Sequence, residues 1–123
     1  MTLLDSALPS LAELLGLDPG PLAGQSHMAV EIDRVGQIHA EHHGERVLLY
    51  LSRPIEAGAD RLSLYRDALR AVHPDNALPR QVQCALSGET LVLVAQHGTG
   101  ETDSQDLEAS LDLLIALHDG LSR

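Results

Sequence analysis

Between residues 28 and 52 apolar and polar positions alternate in three successive short runs. Met28, Val30 and Ile32 are interleaved with Ala29, Glu31 and Asp33, the period of two that marks a half-buried strand. Arg34-Val35-Gly36 reads as a short connection. Gln37 to His42 alternates again, with Ile38 and Ala40 on one face and Gln37, His39 and Glu41 on the other. His43-Gly44-Glu45 predicts a hairpin turn, since Gly44 is free to take positive φ. Arg46 to Ser52 is apolar on both faces, with Val47, Leu49 and Leu51 on one and Leu48 and Tyr50 on the other. A strand with two apolar faces must be covered twice. One face can meet the chain's own helices; the other needs a partner or a groove. Pro54 predicts the end of this strand, because proline cannot donate to a ladder.

On either side of this block the period changes to that of a helix. Leu4, Leu8, Leu11 and Leu15 form a stripe, widened by Leu3 and Leu14, that predicts an opening helix over residues 2–15. Gly16 followed by Leu17 fits a C-terminal cap. Pro9 leaves two readings open, a helix that starts near it or a longer one kinked there. Asp18 to Ser26 is rich in Gly and Pro and reads as a loop. Asp60 is a plausible N-cap for a middle helix over residues 61–73. That helix carries two adjacent stripes, Leu62, Tyr65, Leu69 and Val72 beside Leu64, Ala68 and Ala71. Together they span about half its surface at ~100° per residue. Either it meets two bodies, one of them a second copy of the chain, or it sits deep in its own core.

Pro74-Asp75-Asn76 ends the middle helix. Gln81 to Leu86 predicts a fourth strand with Val82, Cys84 and Leu86 on one face, and Ser87-Gly88-Glu89 a tight turn. Thr90 to Gln96 is a fifth strand, apolar on both faces like the third. After a loop over residues 98–101, Thr102 and Gln105 form a capping box, and Asp103 and Asp106 suit a helix N-terminus. The closing helix runs to Asp119, with Leu107, Leu111 and Leu114 in its stripe, Leu113, Ile115 and Leu117 beside it, and Gly120 as the stop. The expected architecture is a single α+β domain over residues 1–123, in the order α-β-β-β-α-β-β-α, with a twisted antiparallel sheet and three helices.

Composition narrows what such a domain does. The net charge is −10, from 18 acidic and 8 basic residues, every basic one an arginine. That excess argues against nucleic-acid binding, which needs clustered cations, and favours a basic partner. With no Phe or Trp and only Tyr50 and Tyr65, there is no aromatic platform for stacking bases. No run approaches the ~20 apolar residues of a membrane span, and the first residues lack the basic start of a secretory signal. The lone Cys84 suits a reducing cytoplasm. His39, Glu41, His42 and His43 invite a metal-site reading, since two His and a carboxylate can hold a divalent ion. Their spacing matches neither HExxH nor HxxEH, and polar residues beside a turn explain them as well. No cofactor is implied, and no nucleophile–base arrangement or paired carboxylate calls for an enzyme. The residue is apolar surface in excess of what a small sheet buries, which points to protein binding and self-association.

In order and spacing the whole chain resembles the class I type III secretion chaperones, the Tir chaperone (CesT) family. The resemblance is carried by Leu14-Leu15-Gly16-Leu17 closing the opening helix and by Val30-Glu31-Ile32-Asp33 leading through hairpins to Val47-Leu48-Leu49-Tyr50-Leu51. Leu62, Tyr65, Ala68 and Leu69 before the Gly88 hairpin, and the acidic start of the closing helix, complete it. One departure is that His73-Pro74-Asp75 breaks the middle helix where the family often continues with a more apolar segment. The resemblance implies a cytoplasmic bacterial homodimer that uses no nucleotide and binds the N-terminal segment of a secreted effector in extended form. The implied dimer surface is Leu62, Leu64, Tyr65, Ala68, Leu69, Val82, Cys84 and Leu86. The expected effector groove is Leu4, Leu8 and Leu11 with Val30, Ile32, Leu48 and Tyr50. Some members of the family bind a regulator of secretion genes instead, using the same kind of surface.

Overall fold

The computed structural model describes residues 27–43, 46–73, 82–98 and 104–121. It contains strands β1 (His27–Ile32), β2 (Gly36–His43) and β3 (Arg46–Pro54), helix α1 (Arg61–Ala71), strands β4 (Val82–Ser87) and β5 (Thr90–His97), and helix α2 (Ser104–Leu121). The five strands form one antiparallel sheet in the order β1-β2-β3-β5-β4. The order and type of these elements are those expected from the periodicity. Two helices are found among the described residues, not three; the opening helix expected over residues 2–15 lies outside them.

The boundaries differ in four places, each for a local reason. Gly36 belongs to β2 rather than to the turn, with φ +128° opposite Ile32; the turn is made instead by Arg34 at φ 67° and by Val35 N–H donating to Ile32 O at 3.0 Å. β3 continues through Pro54, opposite Thr90. Pairing between β2 and β3 stops at Ser52, and the next amide, Ile55 N–H, points to β5 and bonds Glu89 O at 2.7 Å. The missing proline N–H therefore faces the side where no neighbour remains. α1 stops at Ala71, not His73, closed by Val72 N–H to Ala68 O and His73 N–H to Arg70 O, because Pro74 disfavours helix at the residue before it. α2 runs through Gly120 to Leu121, whose side chain is only 7% exposed. Burying a leucine outweighs the ~1 kcal/mol a helical glycine costs.

Strand parity decides the core. Met28, Val30 and Ile32, then Ile38 and Ala40, then Val47, Leu49 and Leu51, then Leu93 and Ala95, and Val82 and Cys84 share one face through the paired registers. α2 lays Leu107, Leu111 and Leu114 on that face to form the main core cluster. A second cluster joins Ala68 of α1 and Leu121 of α2 to Ile55 and Leu91. α1 is capped as expected, with the Asp60 carboxylate accepting Ser63 N–H at 3.1 Å. Arg53 ties three elements together: its Nε donates to Val35 O at 2.6 Å and its Nη1 to Asp119 at 2.8 Å.

Candidate functional site

Both described helices lie on the same side of the sheet, and neither core cluster contains a residue of the opposite face. That opposite face is built from the other parity. Across its middle the register sets Ala29, His39, Tyr50, Val94 and Gln83 in one row. Glu41, Leu48 and Gln96 form the row on one side, and Gln37, Ser52, Val92 and Ala85 the row on the other. Leu48, Tyr50, Val92 and Val94 are half-buried. They make an apolar centre in β3 and β5, bordered by polar side chains on β2.

The border is organised around Glu41. Tyr50 OH donates to its Oε2 at 3.2 Å, and His39 Nε2 lies 3.5 Å from its Oε1. The His39 and Tyr50 rings pack at 5.5 Å between centroids. Burial, and then the neighbouring Glu41 carboxylate, push the Tyr50 phenol up from its ordinary value, so Tyr50 stays neutral and donating. No three His, Cys, Asp or Glu side chains gather to hold an ion among the described residues. The side chains of His42 and His43 lie outside them. Cys84 is half-buried and its thiol is pushed up by burial, which keeps it protonated and poorly nucleophilic.

The residues expected to form one effector groove are divided by the sheet. Leu48 and Tyr50 are on the open face. Val30 and Ile32 are on the helix side, packed against the main core. A segment touching all four would have to pass around the β1 edge, where among the described residues β1 pairs only with β2. Leu4, Leu8 and Leu11 lie outside the described residues. Val92 and Val94 are among the members of the open face that the expected groove omitted. Their signal was in the sequence, as the second apolar face of TLVLVAQ.

The residues expected at a dimer surface also separate. Leu62 is 67% exposed, Leu69 50% and Leu86 36%. They are the large apolar side chains most open to solvent on α1 and β4, and β4 is the other edge of the sheet. Tyr65 is half-buried; Leu64 and Cys84 are partly buried against the second core cluster. Ala68 and Val82 are buried within the chain, at 0% and 5% exposure.

No described helix is long and apolar enough to cross a membrane. No curated protein matches the chain. Among solved structures, it is similar to a chain of the heterodimeric ExoU-SpcU complex from the type III secretion system of Pseudomonas aeruginosa. There the identity is 20%, with 95% of this chain and 93% of that chain covered and a TM-score of 0.65. It is similar to a chain of the HopA1-SchA chaperone–effector complex at 13% identity, 97% and 92% coverage and a TM-score of 0.69. It is also similar to a chain of the ExsC-ExsE complex at 17% identity, 94% and 90% coverage and a TM-score of 0.69. These likenesses share the fold. The model of the Tir chaperone protein (CesT) family matches residues 6–122, nearly the whole length, and the chain belongs to that family.

Proposed function

We propose that this protein is a type III secretion chaperone that holds the N-terminal chaperone-binding segment of an effector in extended form. The observation that carries the reading is the sheet face left open by both described helices, with Leu48, Tyr50, Val92 and Val94 at its centre. Membership of the Tir chaperone family and the likeness to chains of chaperone–effector complexes support it. An extended segment can hydrogen-bond to a free strand edge and set alternate side chains into apolar positions. A segment of roughly 50 to 100 residues is long enough to wrap a dimer of this size. Held in this way, it cannot collapse onto its own core. The acidic balance of −10 favours a basic segment and speeds encounter.

The chain works as a homodimer. α1 and β4 supply the contact, through Leu62, Leu69 and Leu86. The pairing is isologous, so each exposed leucine is buried twice. Its role is binding and delivery rather than catalysis, and its place is the bacterial cytoplasm.

The test is co-purification of the full chain from its native cell, with partners identified by mass spectrometry. The expected result is a dimer of this chain with one partner bound through that partner's first residues, degraded or aggregated when the chaperone is removed. Partners bound only through folded internal domains would overturn the reading.

A further inference from the structure

We infer that the cleft between the first turn of α1 and the last turn of α2 is a pocket for one partner side chain, a Leu, Ile or Met flanked by a basic residue. The inference rests on the function proposed above and adds to it a defined point of recognition away from the open sheet face.

The cleft holds about 350 Å³, within the range of pockets that enclose small ligands. Ile55, Leu64, Leu91 and Leu121 form the apolar part of its wall, beside the polar Arg53, Ser63 and His118. The loop over residues 56–60 also lines the cleft and is held by main-chain bonds at its start and across its turn. Ile55 N–H bonds Glu89 O at 2.7 Å, Ala59 N–H bonds Glu56 O at 3.1 Å, and Gly58 turns the chain at φ 84°. The cavity is thus formed before anything enters it, and a guest is spared the ordering cost of building it.

Charge selects the guest. Arg53 and His118 line the cavity, but Arg53 already faces Asp119 at 2.8 Å and donates Nε to Val35 O. Its Nε and Nη1 are engaged in this way, while its buried Nη2 has no hydrogen-bond partner among the described residues and offers one donor to a main-chain carbonyl oxygen of the guest. Arg61 turns away toward Glu89 and Gly88 O. What remains at the mouth is acidic and exposed, Glu56 and Asp60. The Asp60 carboxylate caps α1. An apolar side chain fills the walls, and a neighbouring Arg or Lys meets the rim.

The experiment follows amide NMR signals of the full chain during titration with N-acetyl-Arg-Leu-Arg-amide. Saturable shifts are expected at Ala57, Gly58, Leu64 and Leu121. Arg-Ala-Arg and Glu-Leu-Glu peptides should bind at least about tenfold more weakly, the discrimination expected of one buried apolar side chain or of reversed charge. Ala57→Trp, which fills the mouth from an exposed loop position, and Glu56→Arg should each abolish the response while leaving the remaining spectrum unchanged. Equal binding of all three peptides would overturn the proposal. So would the same signals answering to inorganic phosphate alone, or to dilution of the protein alone, which would assign the cleft to an anion or to a second copy. A natural partner held equally by the wild type and by Ala57→Trp would overturn the pocket and leave the chaperone function standing. A peptide response in a protein that captures no natural partner would uphold the pocket and remove the chaperone function.

Discussion

His118, in the last turn of α2, donates its Nε2 hydrogen to the carbonyl oxygen of Leu51 in β3 at 2.7 Å, and both residues are buried. The bond fixes the end of the helix to the centre of the sheet. Burial is the main cause that lowers the imidazole from its ordinary value of 6.5; the Leu51 hydrogen bond and Asp119 pull it up, and Arg53 pushes it down further.

A pH dependence follows. The folded value is depressed, so the neutral imidazole stabilises the fold fully above pH 6.5. That contribution is lost as pH falls from there toward the folded value, because the unfolded state takes up the proton first. Thermal unfolding of wild type should therefore weaken from pH 7.5 to pH 5.5 by more than that of His118→Gln. A variant with the same pH slope as wild type would show that His118 is not the titrating group. His118→Leu removes the bond to Leu51 O and should cost about 0.5–1.5 kcal/mol at pH 7.5.

Leu69→Asp and Val82→Asp should part company. Leu69 is half exposed on α1, so its substitution should leave a folded protomer and convert the dimer to a 13.2 kDa species in sedimentation. Val82 is 5% exposed, and a carboxylate there should cost more than about 4 kcal/mol and unfold the protomer. A folded, dimeric Leu69→Asp protein would move the contact away from α1.

On the open face, Leu48→Ala should lower partner affinity by roughly 10- to 100-fold, the worth of one buried leucine. Circular dichroism and thermal midpoint should change little, since Leu48 belongs to neither core cluster. Calorimetric titration with the partner's N-terminal segment measures this. Unchanged affinity would shift the binding surface to the helix side.

Gly36→Ala should be more damaging than its conservative look suggests. A Cβ at Gly36 would lie 2.6 Å from Ser52 O, on a backbone at φ +128°. The clash is with main chain in the neighbouring strand and cannot be relieved by a rotamer change. A loss of about 1–3 kcal/mol in denaturant unfolding is expected.

Much of this was legible in the residues. Alternation in Met28 to Ile32 and in Gln37 to His42, and the helical stripe of Leu107, Leu111 and Leu114, are strong local signals that burial of one face makes reliable. The phase between strands was not legible. Because Arg46 to Ser52 is apolar at every position from Val47 to Leu51, its own pattern cannot say which face joins Val30 and Ile32. Only the register, Val30 opposite Ile38 and Ile38 opposite Leu51, resolves it, and with it the composition of the groove. On α1, periodicity showed two stripes but not that Ala68 is covered within the protomer while Leu69 is not. That division depends on where Ile55, Leu91 and Leu121 arrive from distant parts of the chain.

Among the described residues β1 pairs on one side only, with β2, and an edge of that kind has a consequence for the protein without a partner. Its outer row of main-chain groups is a template for any strand, including the β1 of another molecule, and repeated pairing of that kind builds insoluble fibrils. Glu31 sits on this strand, exposed, within a chain of charge −10, and mutual repulsion between such edges holds the molecules apart. Salt screens that repulsion over about 10 Å at 0.1 M, so stocks kept without a partner are best protected at low ionic strength.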